Sequence, residues 1–131
     1  MTSVVLDASA VLAIVNAEPG ADLVRASLAD AIMSAVNYSE VLKKAVEHGG
    51  AREVAAAFVR GLSIAIIPFD ETLAAACADL YPQTKQHGLS LADRACLALG
   101  IQRGCAVLTA DSKWKRVSLS SIKVKVIRDA H

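Results

Sequence analysis

The sequence predicts an α/β domain in which a mostly parallel central sheet of about five strands lies between two layers of helices. Short apolar runs rich in β-branched residues alternate with longer segments of helical character along the 131 residues. This alternation is typical of parallel strands joined by crossover helices. The length fits one domain, which we expect to span residues 1–131. A composition of 54% hydrophobic and 21% charged residues excludes a disordered chain.

Five segments have the character of strands. The first is a short β-branched run that ends at Asp7 and is expected to be buried. The last alternates between basic and apolar residues, as expected of a strand at the sheet edge. The predicted strands cover residues 4–6, 31–34, 64–67, 105–108 and 123–127.

Six segments have helical character and recognisable ends. A Pro19-Gly20 pair follows the first, and Gly104 is the expected stop signal of the last. The predicted helices cover residues 8–16, 21–28, 37–47, 52–62, 70–80 and 90–102.

The charge and the aromatic content exclude two classes of nucleic-acid binder. A net charge of +1 excludes a generally basic coat, and 4% aromatic residues exclude a row of stacking rings. Charge is nevertheless uneven, because the segment 113–128 holds six Lys or Arg residues and no acid. This segment is either a solvated edge strand that discourages edge-to-edge pairing or a patch that faces phosphates.

The three cysteines, Cys77, Cys96 and Cys105, are scattered and have no metal-ligand spacing. They are typical of reduced thiols that pack as small hydrophobic groups, so we expect a cytoplasmic protein without structural zinc. No apolar run approaches the length of a membrane span, and the N-terminal segment lacks the basic start of a signal peptide.

Four carboxylates fall at comparable places in the predicted fold. Asp7 and Asp111 follow the first and fourth strands, whereas Glu40 and Asp93 are expected in the first turns of helices. In a parallel sheet these positions share the carboxyl edge, where ligands bind. Two like charges about 4 Å apart repel by roughly 4 kcal/mol at an effective dielectric constant of about 20. Such a cluster needs a cation, and carboxylate oxygens suit magnesium or manganese.

Each acid also has a purely local explanation. Asn37 with Glu40, and Ser90 with Asp93, both match a capping box at the start of a helix. Asp7 fits a simple N-cap and Asp111 a turn residue. The functional interpretation therefore depends on the joint placement of the four acids.

Three sequence motifs resemble those of the PIN domain family. Residues 5–10, Val-Leu-Asp-Ala-Ser-Ala, resemble the opening hhDxSxh motif. Residues 89–99 are similar to the LSxxDxxxLAxA helix, and residues 107–111 resemble the hhTxD strand end. Glu40 lies in a predicted helix, as the second acid of the family does. The chain departs from the pattern at Trp114, where Phe is frequent, and at Asn37, where Ser or Thr is common.

The resemblance implies a metal-dependent endoribonuclease, a hydrolase in which a metal-activated water attacks the RNA phosphodiester. It implies that Asp7 and Asp93 contact Mg²⁺ or Mn²⁺ directly, and that Glu40 and Asp111 act through water or hold a second ion. The hydroxyls of Ser9 and Thr109, two residues from Asp7 and Asp111, then orient these carboxylates; backbone bonding in a turn is the alternative.

The small size and the Asp93-Arg94 pair look most like the VapC-type toxins of toxin–antitoxin modules. This likeness implies a VapB-like antitoxin as partner and a homodimer. Arg94 either pairs with a carboxylate or phosphate or is a surface arginine. The apolar residues Leu12, Val15 and Leu42 fit a dimer interface, but core packing explains them better.

Three other interpretations remain open at the level of the sequence. The chain is a PIN-like RNA-processing nuclease outside a toxin–antitoxin module, another acid-rich magnesium-dependent phosphohydrolase, or a binding module without activity. The presence of all four acids argues against the last.

Overall fold

The computed structural model describes residues 3–117, 119 and 121–128. Its sheet has five strands in the order β3-β2-β1-β4-β5, and every neighbouring pair is parallel. The predicted mostly parallel sheet is therefore confirmed, with β1 at its centre. The strands are β1 Val4–Leu6, β2 Ala31–Ser34, β3 Ala65–Ile67, β4 Ala106–Thr109 and β5 Val124–Val126.

Seven α-helices surround the sheet within the described residues. They are α1 Ala8–Val15, α2 Ala21–Ala26, α3 Ala35–Glu47, α4 Arg52–Gly61, α5 Glu71–Asp79, α6 Tyr81–Thr84 and α7 Leu91–Arg103. Short 3₁₀ turns cover Leu28–Asp30, Lys85–His87 and Ser112–Arg116. The sequence had not predicted α6 or the 3₁₀ turns, and α3 begins two residues earlier than expected.

Two hydrophobic clusters pack on opposite faces of the sheet, which gives the three predicted layers. Side chains of a strand alternate between faces. Leu6 accordingly packs with α1 and α2 residues, whereas its neighbour Val5 packs with α5 and α7 residues. The alternation repeats in β4, where Leu108 joins the first cluster and Val107 the second. Apolar side chains therefore cover both faces of the sheet, which leaves the strand ends and the adjoining helix starts for polar residues.

Core packing explains the three predicted interface residues only in part. Leu12 packs against the first cluster, and Leu42 is half-buried. Val15 remains 48% exposed, so assigning it to the core was wrong. It lies at the last position of α1, where the helix leaves the core.

The three cysteines are buried free thiols, as predicted. In the described part of the chain, no helix is long and apolar enough to cross a membrane.

Candidate functional site

Asp7 lies at the carboxyl end of the central strand, directly before α1. Its backbone N–H donates to the carbonyl of Leu108 at 3.0 Å, which fixes the position of the residue against β4. Its side chain is 5% exposed and does not cap α1. The simple N-cap explanation therefore fails, since the carboxylate makes no cap bond and instead accepts hydrogen bonds from side chains of α1, α3 and β4.

Three side chains hold the Asp7 carboxylate. Ser9 Oγ and Thr109 Oγ1 both donate to Oδ2, at 2.6 and 2.9 Å, and Asn37 Nδ2 donates to Oδ1 at 3.3 Å. We expected Thr109 to orient Asp111, but its hydroxyl donates to Asp7 and accepts from the backbone N–H of Asp111 at 3.1 Å. The hydroxyls of Ser9 on α1 and Thr109 on β4 thus converge on one carboxylate oxygen at the end of β1.

Asn37 is a site residue that the sequence analysis misassigned as a helix cap. Ser34 caps α3 instead, because its Oγ accepts from the backbone N–H of Val36 at 3.2 Å. Asn37 is fully buried in the first turn, and its Nδ2 donates both to Asp7 and to the carbonyl of Ala92, the latter at 3.1 Å. Two acceptors at one atom identify that atom as the amide nitrogen. The signal that could have identified Asn37 as a site residue is its position, because it is a polar residue on the buried face of α3.

The charge environment of Asp7 is unfavourable to an isolated carboxylate. Burial raises its pKa, the hydrogen bonds from Ser9 and Thr109 lower it, and the nearby Asp93 carboxylate raises it. The pKa of Asp7 is raised overall. Asn37 bonds both to Asp7 and to the carbonyl of Ala92, which precedes Asp93, and a cation near the two acids would relieve their repulsion.

Asp93 combines a local role with a place in the site. The predicted capping box is present, since Ser90 Oγ accepts from the Asp93 N–H and Asp93 Oδ2 accepts from the Ser90 N–H at 2.9 Å. The same Oδ2 lies 3.4 Å from the ammonium nitrogen of Lys113. The capping explanation and the functional one are therefore compatible.

Asp111 is joined to the site through Lys113. Its Oδ1 accepts from the Lys113 backbone N–H at 3.0 Å, and its Oδ2 lies 3.5 Å from Lys113 Nζ. Because the same ammonium reaches Asp93, the two carboxylates are close neighbours. Partial burial lowers the pKa of Lys113, but Asp93 and Asp111 outweigh that effect and raise it. In the sequence Lys113 belongs to the basic segment 113–128, and no spacing connects it to the acids.

Glu40 and Arg94 stand apart from these contacts. Glu40 lies in the second turn of α3, not the first, one turn after Asn37 and so on the same face. It makes no hydrogen bond or ion pair with the described residues. Arg94 stacks on the ring of Tyr81, 5.3 Å from its centroid, and its buried Nε has no partner among the described residues. Arg94 therefore pairs with no carboxylate here.

The donor set suits a hard cation, although its present arrangement is not closed around one. Within residues 3–117, 119 and 121–128, no group of three or more His, Cys, Asp or Glu side chains has the spacing of a metal site. Asp93 nevertheless lies near enough to Asp7 to raise its pKa, and Asp93 and Asp111 share the ammonium of Lys113. Carboxylate oxygens are the ligands that magnesium and manganese prefer. The chemistry of these side chains, rather than their present spacing, therefore suits a divalent cation.

A long groove of about 890 Å³ begins beside this site and runs between α1, α3 and α4. Its walls are mainly apolar, and Val54 and Phe58 are 69% and 40% exposed there. Its lining comprises Ser9, Leu12, Val15, Asn16, Glu18, Val41, Lys44, Ala45, His48, Gly50, Ala51, Val54, Ala55, Phe58 and Arg128. We refer to this surface as the α1–α4 groove. The α1–α4 groove could not be predicted from the sequence, because it forms only where three separate helices meet.

The sequence matches the family model described as PIN domain over residues 4–119. The same chain has no match among curated proteins.

Solved structures with the same fold include several toxin–antitoxin proteins. DNA-bound VapBC from Salmonella typhimurium has a TM-score of 0.72 at 18% identity, covering 98% of this chain and 100% of that chain. FitAcB from Neisseria gonorrhoeae has a TM-score of 0.63 at 24% identity, covering 95% and 97%. VapC20 from Mycobacterium tuberculosis, a sarcin–ricin loop cleaving toxin, has a TM-score of 0.70 at 15% identity, covering 92% and 98%. At these identities the likeness establishes the fold.

Proposed function

Because the chain belongs to the PIN domain family, we propose that it is a divalent-metal-dependent endoribonuclease and the toxin of a toxin–antitoxin module. The observation that carries the proposal is the placement of three acids at the carboxyl edge of a parallel sheet, where Asp93 raises the pKa of Asp7 and shares the ammonium of Lys113 with Asp111. These three carboxylates come from separate elements, and local capping accounts for neither the burial of Asp7 nor the shared ammonium contact.

Asp7, Asp93 and Asp111 would hold Mg²⁺ or Mn²⁺, and Glu40 would contribute from its neighbouring position on α3. The ion supplies an activated water and stabilises the charge that develops on the phosphodiester. The chain itself supplies a fixed carboxylate, because Ser9, Thr109 and Asn37 hold Asp7 before any ligand arrives. Hydrogen bonds of this kind set the orientation of a metal ligand.

An RNA strand is the proposed substrate. Arg116 is exposed on the 3₁₀ turn that directly follows Asp111, so a basic side chain lies near this acid. Basic side chains in such a position bind phosphates and orient the strand. This supports the phosphate-facing interpretation of the first part of the segment 113–128.

The test is cleavage of single-stranded RNA by the purified chain in Mg²⁺ or Mn²⁺. Asp7→Asn and Asp93→Asn are expected to abolish cutting, as is excess EDTA. Asp22→Asn is the matched control, because Asp22 is exposed on α2. Activity that persists in EDTA, or in both site variants, would overturn the mechanism.

We further propose a VapB-like antitoxin as the occupant of the α1–α4 groove. Apolar walls that include Val54 and Phe58 suit the apolar face of an amphipathic helix, and the lining residues Lys44 and Arg128 pair with Glu47 and Glu18 of this chain. Ser9 lines the groove and also donates to Asp7, so an occupant would lie next to the acidic site. The similar solved structures from Salmonella and Neisseria are those of VapBC and FitAcB.

Co-expression with the product of the neighbouring open reading frame tests this partner. A stable complex that blocks RNA cleavage is expected. Phe58→Asp is expected to abolish the complex, whereas Leu23→Asp, an exposed position on α2 outside the groove, should leave it intact. If the complex still forms with Phe58→Asp, the α1–α4 groove is not the binding site of the partner. If no complex forms with the wild type, the result favours a PIN nuclease outside such a module. Light scattering of the free chain tests the proposed homodimer.

A further inference from the structure

Lys113 joins three parts of the candidate site through one ammonium group. Its Nζ lies 3.4 Å from Asp93 Oδ2, 3.5 Å from Asp111 Oδ2 and 3.5 Å from the carbonyl oxygen of Gly88. The other ion pairs seen in the described residues each join one base to one acid. A cation therefore already lies between two of the carboxylates that we assign to the metal.

We propose that Lys113 is a tethered cation that balances the acidic site without metal and must withdraw from Asp93 and Asp111 before a divalent ion binds there. The inference rests on the proposed function, because it concerns the same carboxylates. Lys113 acts as a positioning residue, since it acts through the acids.

The local structure allows the ammonium to move while the backbone stays in place. The Lys113 side chain is 42% exposed, and it carries its charge at the end of a flexible stem. The backbone is fixed, because its N–H donates to Asp111 Oδ1 and because Trp114, the next residue, is buried in the core. Withdrawal therefore requires side-chain rotation and no unfolding.

The charge of Lys113 affects both the stability of the protein and its affinity for a metal. Burial and repulsion from Asp93 both disfavour the charge on Asp7, and Asp93 and Asp111 lie on either side of the same ammonium. The ammonium of Lys113 offsets part of that repulsion, but it also competes for the oxygens that a metal needs. Removal of the ammonium should therefore lower the stability of the protein without metal and raise its affinity for the metal. A lysine with only a structural role would not improve metal binding when removed, and one that only binds phosphate would leave metal affinity unchanged.

The first experiment measures Mn²⁺ binding by titration calorimetry, without RNA. Lys113→Met is expected to bind Mn²⁺ at least about fivefold more tightly than the wild type, because one competing ion-pair partner is gone. Lys125→Met is the matched control, since Lys125 is exposed on β5. Asp7→Asn measures binding outside the site.

The second experiment measures thermal unfolding in EDTA and in Mn²⁺. Lys113→Met should unfold at a lower temperature than the wild type in EDTA. Addition of Mn²⁺ should raise its unfolding temperature by more than that of the wild type. Lys113→Arg keeps the charge, so it should retain the stability in EDTA and bind Mn²⁺ no more tightly than the wild type. This variant keeps the test decisive if Lys113→Met does not fold.

The two levels of the proposal fail in different ways. If the wild type binds Mn²⁺ and Lys113→Met binds it equally or more weakly, the role of Lys113 is overturned and the metal site stands. If neither the wild type nor Lys113→Met binds Mn²⁺ at millimolar concentration, the proposed metal dependence fails, and the tethered cation fails with it.

Discussion

The amide of Asn37 donates to the carboxylate of Asp7 at 3.3 Å and so ties the first turn of α3 to the end of the central strand. Both side chains are buried, and 30 residues separate them in sequence. The same amide nitrogen also donates to the carbonyl of Ala92 in α7. One side chain therefore sets the relative positions of three elements that carry the proposed metal ligands.

Asn37→Asp tests this link with almost no change of shape. The substitution removes both donors and places a second negative charge against Asp7, so the buried groups lose their partners and repel. We expect the free energy of unfolding in EDTA to fall by at least about 2 kcal/mol, as measured by urea denaturation. Asn16→Asp, at an exposed position, is the control and should change it little. Equal stability of the two variants would contradict the bridging role.

The raised pKa of Asp7 predicts how stability depends on pH without metal. The folded state binds the Asp7 proton more tightly than the unfolded chain, whose pKa is near the ordinary value of 3.8. The contribution of Asp7 to the free energy of unfolding is therefore fully present when the pH is below that value. It is lost as the pH rises towards the raised pKa of the folded state. Relative to Asp7→Asn, the wild type should become less stable as pH rises through this window.

Urea denaturation in EDTA at a series of pH values, from about 3.5 to about 7.5, measures that difference. The comparison uses the slope with pH, because the Asn side chain also alters the hydrogen bonds and so adds a constant offset. Parallel curves for the two proteins would show that Asp7 has no raised pKa.

The sequence was sufficient for those features that depend on local pattern. Alternating apolar runs gave the strands and their neighbouring helices, and the spacing of Ser90 and Asp93 gave the capping box that is observed. Local pattern failed at Asn37, because Ser34 three residues earlier is an equally good cap and tertiary contacts decide between them. Two capping signals in one segment cannot be ranked without knowing which side chain faces the core.

Contacts between distant residues lay beyond the sequence analysis for the same reason. Thr109 is two residues from Asp111 but bonds to Asp7, 102 residues away, because β1 and β4 are adjacent in the sheet. Lys113 reaches Asp93 only because α7 begins beside the 3₁₀ turn that follows β4. Strand order decides the first contact and the position of α7 decides the second, and neighbouring residues in the sequence reveal neither.

Cys96 is expected to be chemically inert in the folded protein. It is fully buried in α7, and burial together with the charges of Asp7 and Asp93 raises the pKa of its thiol well above the ordinary value. The thiolate is the reactive form, so a thiol reagent at about pH 8 should leave Cys96 unmodified in the native state. Mass spectrometry of the labelled peptide measures this, and labelling in urea is the control. Rapid native labelling would contradict the packing of α7 against the site.

Gly100 determines how closely α7, the helix that carries Asp93, approaches β4. A Cβ at this position would lie 2.8 Å from Val107 Cγ2 and 3.1 Å from the carbonyl oxygen of Cys105. The β-branched Val107 is fully buried and cannot move aside, so Gly100→Ala should destabilise the fold by about 1–3 kcal/mol. Gly61→Ala is the control, because Gly61 ends α4 and a methyl group added there would meet nothing within 4 Å, so it should be neutral or slightly stabilising. If Gly100→Ala is as stable as Gly61→Ala, the close approach does not hold α7 in place. Loss of Mn²⁺ binding in a folded Gly100→Ala protein would instead show that a small shift of α7 is enough to open the site.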